Sequence, residues 1–153
     1  VVDKDGNAVI YAMEASKPII FFFFWDENEK LPKATLTTLT FQDKVQGDTN
    51  SSVSSAFASS YRYPNLKTIN NLDTNVDTSN VTNMSGMFFA SKLTSVGDLG
   101  KWNTSKVVNM DGMFKDSKLT TVGDLSQWDT SKVRYMESMF YNSKLTPPAW
   151  YRP

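Results

Sequence analysis

The sequence predicts an α/β (α+β) solenoid: a right-handed coil of short strands and short helical turns, with a β-type cap at its N-terminal end. Three observations predict it. Residues 78–103, TSNVTNMSGMFFASKLTSVGDLGKWN, align without gaps on residues 104–129, TSKVVNMDGMFKDSKLTTVGDLSQWD, with 17 of 26 positions identical, and a third copy, TSKVRYMESMFYNSKLT, fills 130–146. The apolar residues recur at fixed registers of that unit, and one unit cannot bury its own apolar face, so copies have to stack. The chain also has no cysteine and no histidine, which leaves neither a disulfide nor a zinc site built on those ligands to hold it together. With 40% apolar and 13% aromatic residues, it has the material for a continuous core.

Residues 1–45 are expected to form the cap. Asp5-Gly6-Asn7, between Val1-Val2 and Ala8-Val9-Ile10-Tyr11, is a hairpin-turn signal. Ile19 to Trp25 reads as a buried strand entered through Pro18, and it is far short of the roughly 20 residues a helix needs to cross a bilayer. Asp26 to Pro32 reads as a polar loop. Thr35 to Phe41 alternates Leu36, Leu39 and Phe41 with threonines, as a third strand would. A cap of this kind would hide an open edge that otherwise invites aggregation.

Residues 46–77 read as a degenerate first copy. Ser55-Ala56-Phe57 stands where Gly-Met-Phe stands later, and Leu66, Ile69 and Leu72 precede Leu93, Val96 and Leu99 at a constant offset of 27. An insertion within Tyr61 to Pro64 separates the two halves. Terminal copies of such arrays are commonly atypical, because their outer face meets water.

Residues 78–146 hold the three clean copies. A period in the range of about 20–29 residues is that of leucine-rich repeats. The ladders are Val81, Val107 and Val133; Met84, Met110 and Met136; Met87, Met113 and Met139; Phe88, Phe114 and Phe140; and Leu93, Leu119 and Leu145. Shorter ones follow at Val96 and Val122, Leu99 and Leu125, and Trp102 and Trp128. Spacing within a copy is mostly three residues, which matches neither strand alternation nor a clean helical period. Each copy is therefore expected to hold two short extended segments, near 93–99 and 106–110, and a short helical turn at Met-x-x-Met-Phe; a longer capped helix over 80–90 is the less favoured reading. Asp77, Asn103 and Asp129, each before a Thr-Ser pair, are turn setters. Gly97 and Gly123 are expected at positive φ. The Gly86 and Gly112 register becomes Ser138, which suggests a need for a small side chain there rather than for an unusual φ. The pattern stops at Pro147-Pro148, and 147–153 read as a Pro-rich C-terminal end. The start at Val1, without initiator Met or leader, reads as that of an excised fragment.

Asp77-Thr78-Ser79-Asn80-Val81-Thr82-Asn83-Met84-Ser85-Gly86-Met87-Phe88 and the Asp-Leu-Ser-Gln-Trp-Asp-Thr-Ser string at 124–131 resemble the BspA-like leucine-rich-repeat proteins of bacterial surfaces. The resemblance is specific over 77–146, looser over 35–76, and positional over 1–34. It implies secretion, display on a Gram-positive-type cell wall or a mycoplasmal surface, and adhesion to host or neighbouring-cell proteins or glycans. Where that family often carries a cysteine, this chain has Ser91, Ser117 and Ser143.

Composition narrows the function further. Sixteen basic residues balance sixteen acidic ones, which argues against a nucleic-acid binder, and no basic run suits an anionic membrane. Without Cys or His there is no thiol nucleophile and no Ser-His-Asp triad. No cofactor and no catalytic or metal site is predicted. Asp3-x-Asp5-x-Asn7 with Glu14 mimics a calcium loop, but the glycine falls in the wrong place. The predicted function is non-enzymatic adhesion or ligand recognition. The alternatives are a spacer that presents another domain and, less favoured, a glycan-acting enzyme using carboxylates alone. The residues that change between copies are the candidates for binding: Arg134, Tyr135 and Tyr141, with Lys115 and Phe89 in the Tyr141 register. Lys92, Lys118 and Lys144 form a basic rung, read first as a solvated face and second as a capture surface for anionic glycans. The Met and Phe ladders are assigned to the core, as are Trp102 and Trp128, for which a sugar-stacking platform is the rival reading.

Overall fold

The computed structural model of the chain describes residues 3–10, 19–20, 35–46, 51–58 and 63–153. The expected loop at Asp26 to Pro32, the Phe21 to Trp25 part of the expected strand, and most of the insertion before Pro64 lie outside those residues. The described strands are β1 (Asn7–Ile10), β2 (Ile19–Ile20), β3 (Thr38–Phe41), β4 (Val45–Gln46), β5 (Ser51–Ser52), β6 (Thr68–Asn70), β7 (Val76–Asp77) and β8 (Val81–Asn83). One helical turn, α1 (Leu72–Asn75), and one 3₁₀ turn (Leu99–Lys101) complete the elements among the described residues.

Every strand pairing among the described residues is parallel. β1, β3 and β6 form one ladder, β2, β4 and β7 a second, and β5 and β8 a third. Asn7 faces Thr38 and Thr38 faces Thr68, so the chain returns to the same ladder after 31 and then 30 residues. Parallel partners need a long return path, which a tight hairpin cannot supply. Of the expected hairpin at Asp5-Gly6-Asn7, the turn and the second arm are described. The turn is there, with Gly6 N–H bonded to Asp3 O and Asp3 N–H to Asn7 O. It feeds a strand that pairs forward in parallel with β3, while Val1-Val2 lie outside the described residues. Parallel ladders also cross the expected boundary at residue 45, which falls inside β4.

In the clean copies the ladders shrink to single bridges, Asn83 with Asn109, Asn109 with Tyr135, and Ser95 with Thr121. Between the bridges the backbone bonds alternate in direction. Met84, Gly86, Phe88 and Ala90 donate their N–H to the carbonyls of Asn109, Asp111, Met113 and Lys115 in the next copy, at 2.8–2.9 Å. Met87, Phe89 and Ser91 instead donate within their own copy, to Met84, Gly86 and Phe88. This is a row of turns, and the expected helical turn at Met-x-x-Met-Phe is corrected. Two left-handed residues per copy break any helix: Gly86 and Ala90, Gly112 and Asp116, Ser138 and Asn142. The reading of the Gly86 register is corrected with it. Gly86, Gly112, Ser138 and the matching Ser55 all lie at φ of 54–59°, and a Cβ at Gly112 would meet nothing closer than 3.7 Å. Conformation, more than space, selects the residue there.

The core is one continuous cluster from Ala8 to Leu145, with Val133, Met136, Trp150 and Tyr151 packed against its end. Phe57, Phe88, Phe114 and Phe140 lie ring on ring at 5.5–5.7 Å, and all four are buried. The buried Thr78 and Thr104 hydroxyls are satisfied one coil further along, where they donate to the carbonyls of Asn103 and Asp129. Asp77, Asn103 and Asp129 each accept the N–H two residues on, which sets the turn that opens a copy.

Candidate functional site

The registers that vary between copies all reach the surface. Thr82, Val108, Asn83, Asn109, Phe89, Lys115, Ala90 and Asp116 are half-buried, whereas their counterparts in the last copy, Arg134, Tyr135, Tyr141 and Asn142, are exposed. Tyr135 and Tyr141 expose 53% and 64% of their surface, the only large apolar side chains so exposed among the described residues.

Tyr135 stands where the frame elsewhere uses asparagine. Asn83 and Asn109 accept the N–H of Ser85 and Asp111 at 2.9 and 2.8 Å, fixing the turn that follows. A tyrosine cannot do this, and the corresponding N–H, that of Glu137, bonds the Asp111 carboxylate at 2.7 Å. The last copy has thus lost a local turn bond and gained an exposed aromatic. At the neighbouring variable register, the Lys115 ammonium lies 5.4 Å from the Tyr141 ring centroid, a cation–π contact that links two of the candidate residues. Phe89 sits in the same register and is half-buried.

Lys92, Lys118 and Lys144 are exposed. Lys144 borders a cleft of about 340 Å³ lined also by Thr121, Asp124, Phe140, Leu145 and Pro148. The cleft lies where a further Val-Gly-Asp-Leu coil would follow in the repeat pattern and Pro147-Pro148 stand instead. Asp124 there is held below the usual aspartate range, mainly by the Ser126 backbone N–H on its carboxylate.

Trp102 and Trp128 are buried, and their indole N–H groups donate inward to Leu72 O and Leu99 O. They offer no open face to a sugar ring. Trp150 repeats the arrangement one level on: it stacks on Trp128 at 6.1 Å and donates to Leu125 O at 2.8 Å. Tyr151 stands edge-on to Phe140 at 5.0 Å, and the Arg152 N–H reaches the Met136 sulfur at 3.5 Å. Residues 147–153 therefore fold over the last copy. Sequence reasoning missed this, because Trp150 follows Trp128 after 22 residues where the period is 26. The available signal was the recurring aromatic itself.

Among the described residues no group of His, Cys, Asp or Glu side chains is placed to hold a metal ion. The Asp3 carboxylate in the calcium-like string accepts the Asn7 side-chain amide and the N–H groups of Asn7 and Asp5, and these bonds hold it below the usual aspartate range. No helix among the described residues is long and apolar enough to cross a membrane. A family model described as Mycoplasma protein of unknown function, DUF285, matches residues 51–147. No curated protein and no solved structure matches the chain.

Proposed function

The chain belongs to the DUF285 family, and from that premise we propose that it is a non-enzymatic recognition module displayed on a bacterial surface, built as a right-handed solenoid of the BspA-like leucine-rich type. Parallel ladders that return every 26 to 31 residues, and one core running from copy to copy, support the solenoid reading. The resemblance of residues 77–146 to surface adhesins supports the setting. The partner is a host or neighbouring-cell protein or glycan.

One observation carries the functional part. The apolar registers that repeat turn inward, whereas the registers that vary reach solvent, and in the last copy these become Arg134, Tyr135 and Tyr141. Tyr135 stands in the register of the turn-setting Asn83 and Asn109, and the Asp111 carboxylate takes over the N–H that an asparagine would accept there. A side chain that its own frame does not use and that adds exposed aromatic area fits selection for contact with a partner. Screening the chain on immobilised glycans, mucins and matrix proteins tests this. Binding that Tyr135→Ala, Tyr141→Ala or Arg134→Ala weakens about tenfold, the level of a moderate hot spot, is the expected result. Silence on every surface assigns the chain to the spacer class.

A further inference from the structure

One face of the stack repeats the same outward side chains from coil to coil. Lys92-Leu93-Thr94-Ser95-Val96 lies beside Lys118-Leu119-Thr120-Thr121-Val122 in parallel. The Lys118 N–H bonds Ser91 O, the Thr120 N–H and hydroxyl both bond Thr94 O, and Ser95 bridges to Thr121. Leu93, Val96, Leu119 and Val122 turn into the core, while both lysines and the hydroxyl residues between the apolar ones are exposed. Lys144-Leu145-Thr146 opens the same strip a third time, with Leu145 buried and Lys144 and Thr146 exposed. A further coil is bonded on beyond both Lys92 and Lys118, so their exposure belongs to the face and not to an end of the stack.

Among the described residues none of these three ammonium groups has an ion pair or a side-chain hydrogen bond. Other lysines do have partners: Lys44 donates to Thr74 O, Lys106 donates to Asn80 Oδ1, and Lys115 packs on the Tyr141 ring. The carboxylates nearest the rung in sequence are committed elsewhere. Asp98 accepts the Gly100 N–H, Asp116 the Asn142 side-chain amide, and Asp124 the Ser126 N–H. The face therefore offers one unpaired ammonium and at least one hydroxyl per coil, at a step of about 4.8 Å, the spacing of paired strands. Charges this close lie within one screening length, about 8–10 Å at physiological salt, and their potentials sum along the axis of the stack.

We propose that this face binds a linear acidic polysaccharide laid along the axis of the stack, its anionic groups on Lys92, Lys118 and Lys144 and its hydroxyls on Thr94, Ser95, Thr120 and Thr121. The step between coils is close to the length of one sugar ring, so successive units of a repeating polymer meet successive rungs. Hydroxyl side chains both donate and accept, as sugar hydroxyls require of a partner. An acidic peptide strand fits less well, because it pairs through main-chain groups at a sheet edge, and this is a sheet face whose strips are already bonded to each other. Each exposed charge contact is weak alone; carried on one polymer, the three act together. The inference rests on reading the chain as a recognition module and specifies the chemical class of a glycan partner for it.

The test titrates the isotope-labelled 153-residue chain with polygalacturonate and with dextran sulfate, using neutral dextran and poly-glutamate as controls. At least one acidic glycan should give saturable amide shifts centred on 92–95, 118–121 and 144–146; a response to one alone identifies the anion as carboxylate or sulfate. Neutral dextran should give none, poly-glutamate should bind several-fold more weakly, and added salt should weaken binding. K92Q or K118Q should each lower affinity about two- to fivefold, and K92Q/K118Q/K144Q together about tenfold or more. T94V/S95A should weaken glycan binding and leave poly-glutamate unaffected. All these positions are exposed, and unchanged circular dichroism would show that the variants keep the fold. No binding of either glycan, full binding by the triple variant, poly-glutamate binding as tightly, or shifts centred on Lys106, Lys132 and Arg134 would each overturn the proposal. If neither glycan binds while Tyr135→Ala weakens binding to an immobilised protein, this inference falls and the recognition reading stands. If the triple variant loses the glycan while Tyr135→Ala, Tyr141→Ala and Arg134→Ala change nothing on any surface, this face stands and recognition through Tyr135, Tyr141 and Arg134 falls.

Discussion

Phe114→Ala probes whether the copies act as one stack. Phe114 is fully buried, its ring parallel to Phe88 within 4° at 5.7 Å and 5.5 Å from Phe140 on its other side. Truncating a buried phenylalanine to alanine costs about 3–5 kcal/mol when the surroundings cannot collapse into the void. Collapse is obstructed here, because the flanking coils are tied by the bonds from Phe88 N–H to Met113 O and from Phe114 N–H to Met139 O. Each lost ring pair contributes roughly 0.5–1.5 kcal/mol beyond area burial, which places the expected cost in the upper part of that range, about 4–5 kcal/mol. Urea unfolding followed by circular dichroism measures it. With a slope of roughly 2 kcal/mol per molar, the midpoint should fall by about 2 M. Phe140→Ala, at the end of the column, should cost less and loosen mainly the last copy. A cost below about 1 kcal/mol for Phe114→Ala, or a larger cost for Phe140→Ala, would refute the stacking argument.

Other outcomes follow from the same geometry. Gly112→Ala should cost about 1–2 kcal/mol by forcing an alanine into the left-handed region, while Gly112→Asn should cost less, as thermal denaturation would show. Gly123→Ala should exceed Gly112→Ala by about 1 kcal/mol, since its Cβ would fall 1.9 Å from the Asp98 Oδ1 that accepts the Gly100 N–H. Ser117 Oγ is buried without a partner, so Ser117→Ala should leave stability unchanged or raise it by up to about 1 kcal/mol; a clear loss would show a missed hydrogen bond. Asp3, Asp124 and Asp129 are all held below the usual aspartate range, by the Asn7 amide, the Ser126 N–H and the Ser131 hydroxyl respectively. Their stabilising bonds are present in full above the unfolded value of about 3.9 and are lost as pH falls through the lower folded values, so melting temperature should stay flat from about pH 6 to 5 and drop below about pH 4.

How far the sequence could be read differs from element to element. Equal spacing places Met84 with Met110 and Phe88 with Phe114, because residues one period apart meet the same environment, and all four are buried. The turn setters before each Thr-Ser pair and the positive φ of Gly97 and Gly123 are local properties, and local chemistry is written in the chain. The variable registers were legible as candidates for contact, since a repeated frame can change only where it faces water.

The chain alone could not decide what depends on which atoms meet across copies. That β1 pairs in parallel with a strand 31 residues on is decided by packing, and no local signal announces it. The left-handed φ at Gly86 looked like a demand for small size, because glycine and serine satisfy either need. Trp150 and Tyr151 fall out of register in sequence and return to the aromatic columns in space. The direction of the N–H groups of Met84, Gly86, Phe88 and Ala90 has no side-chain signature, since a peptide group's direction is set by backbone dihedrals and not by residue type. Periodicity determined which side chains turn inward; three-dimensional stacking decided which carbonyl each backbone N–H meets.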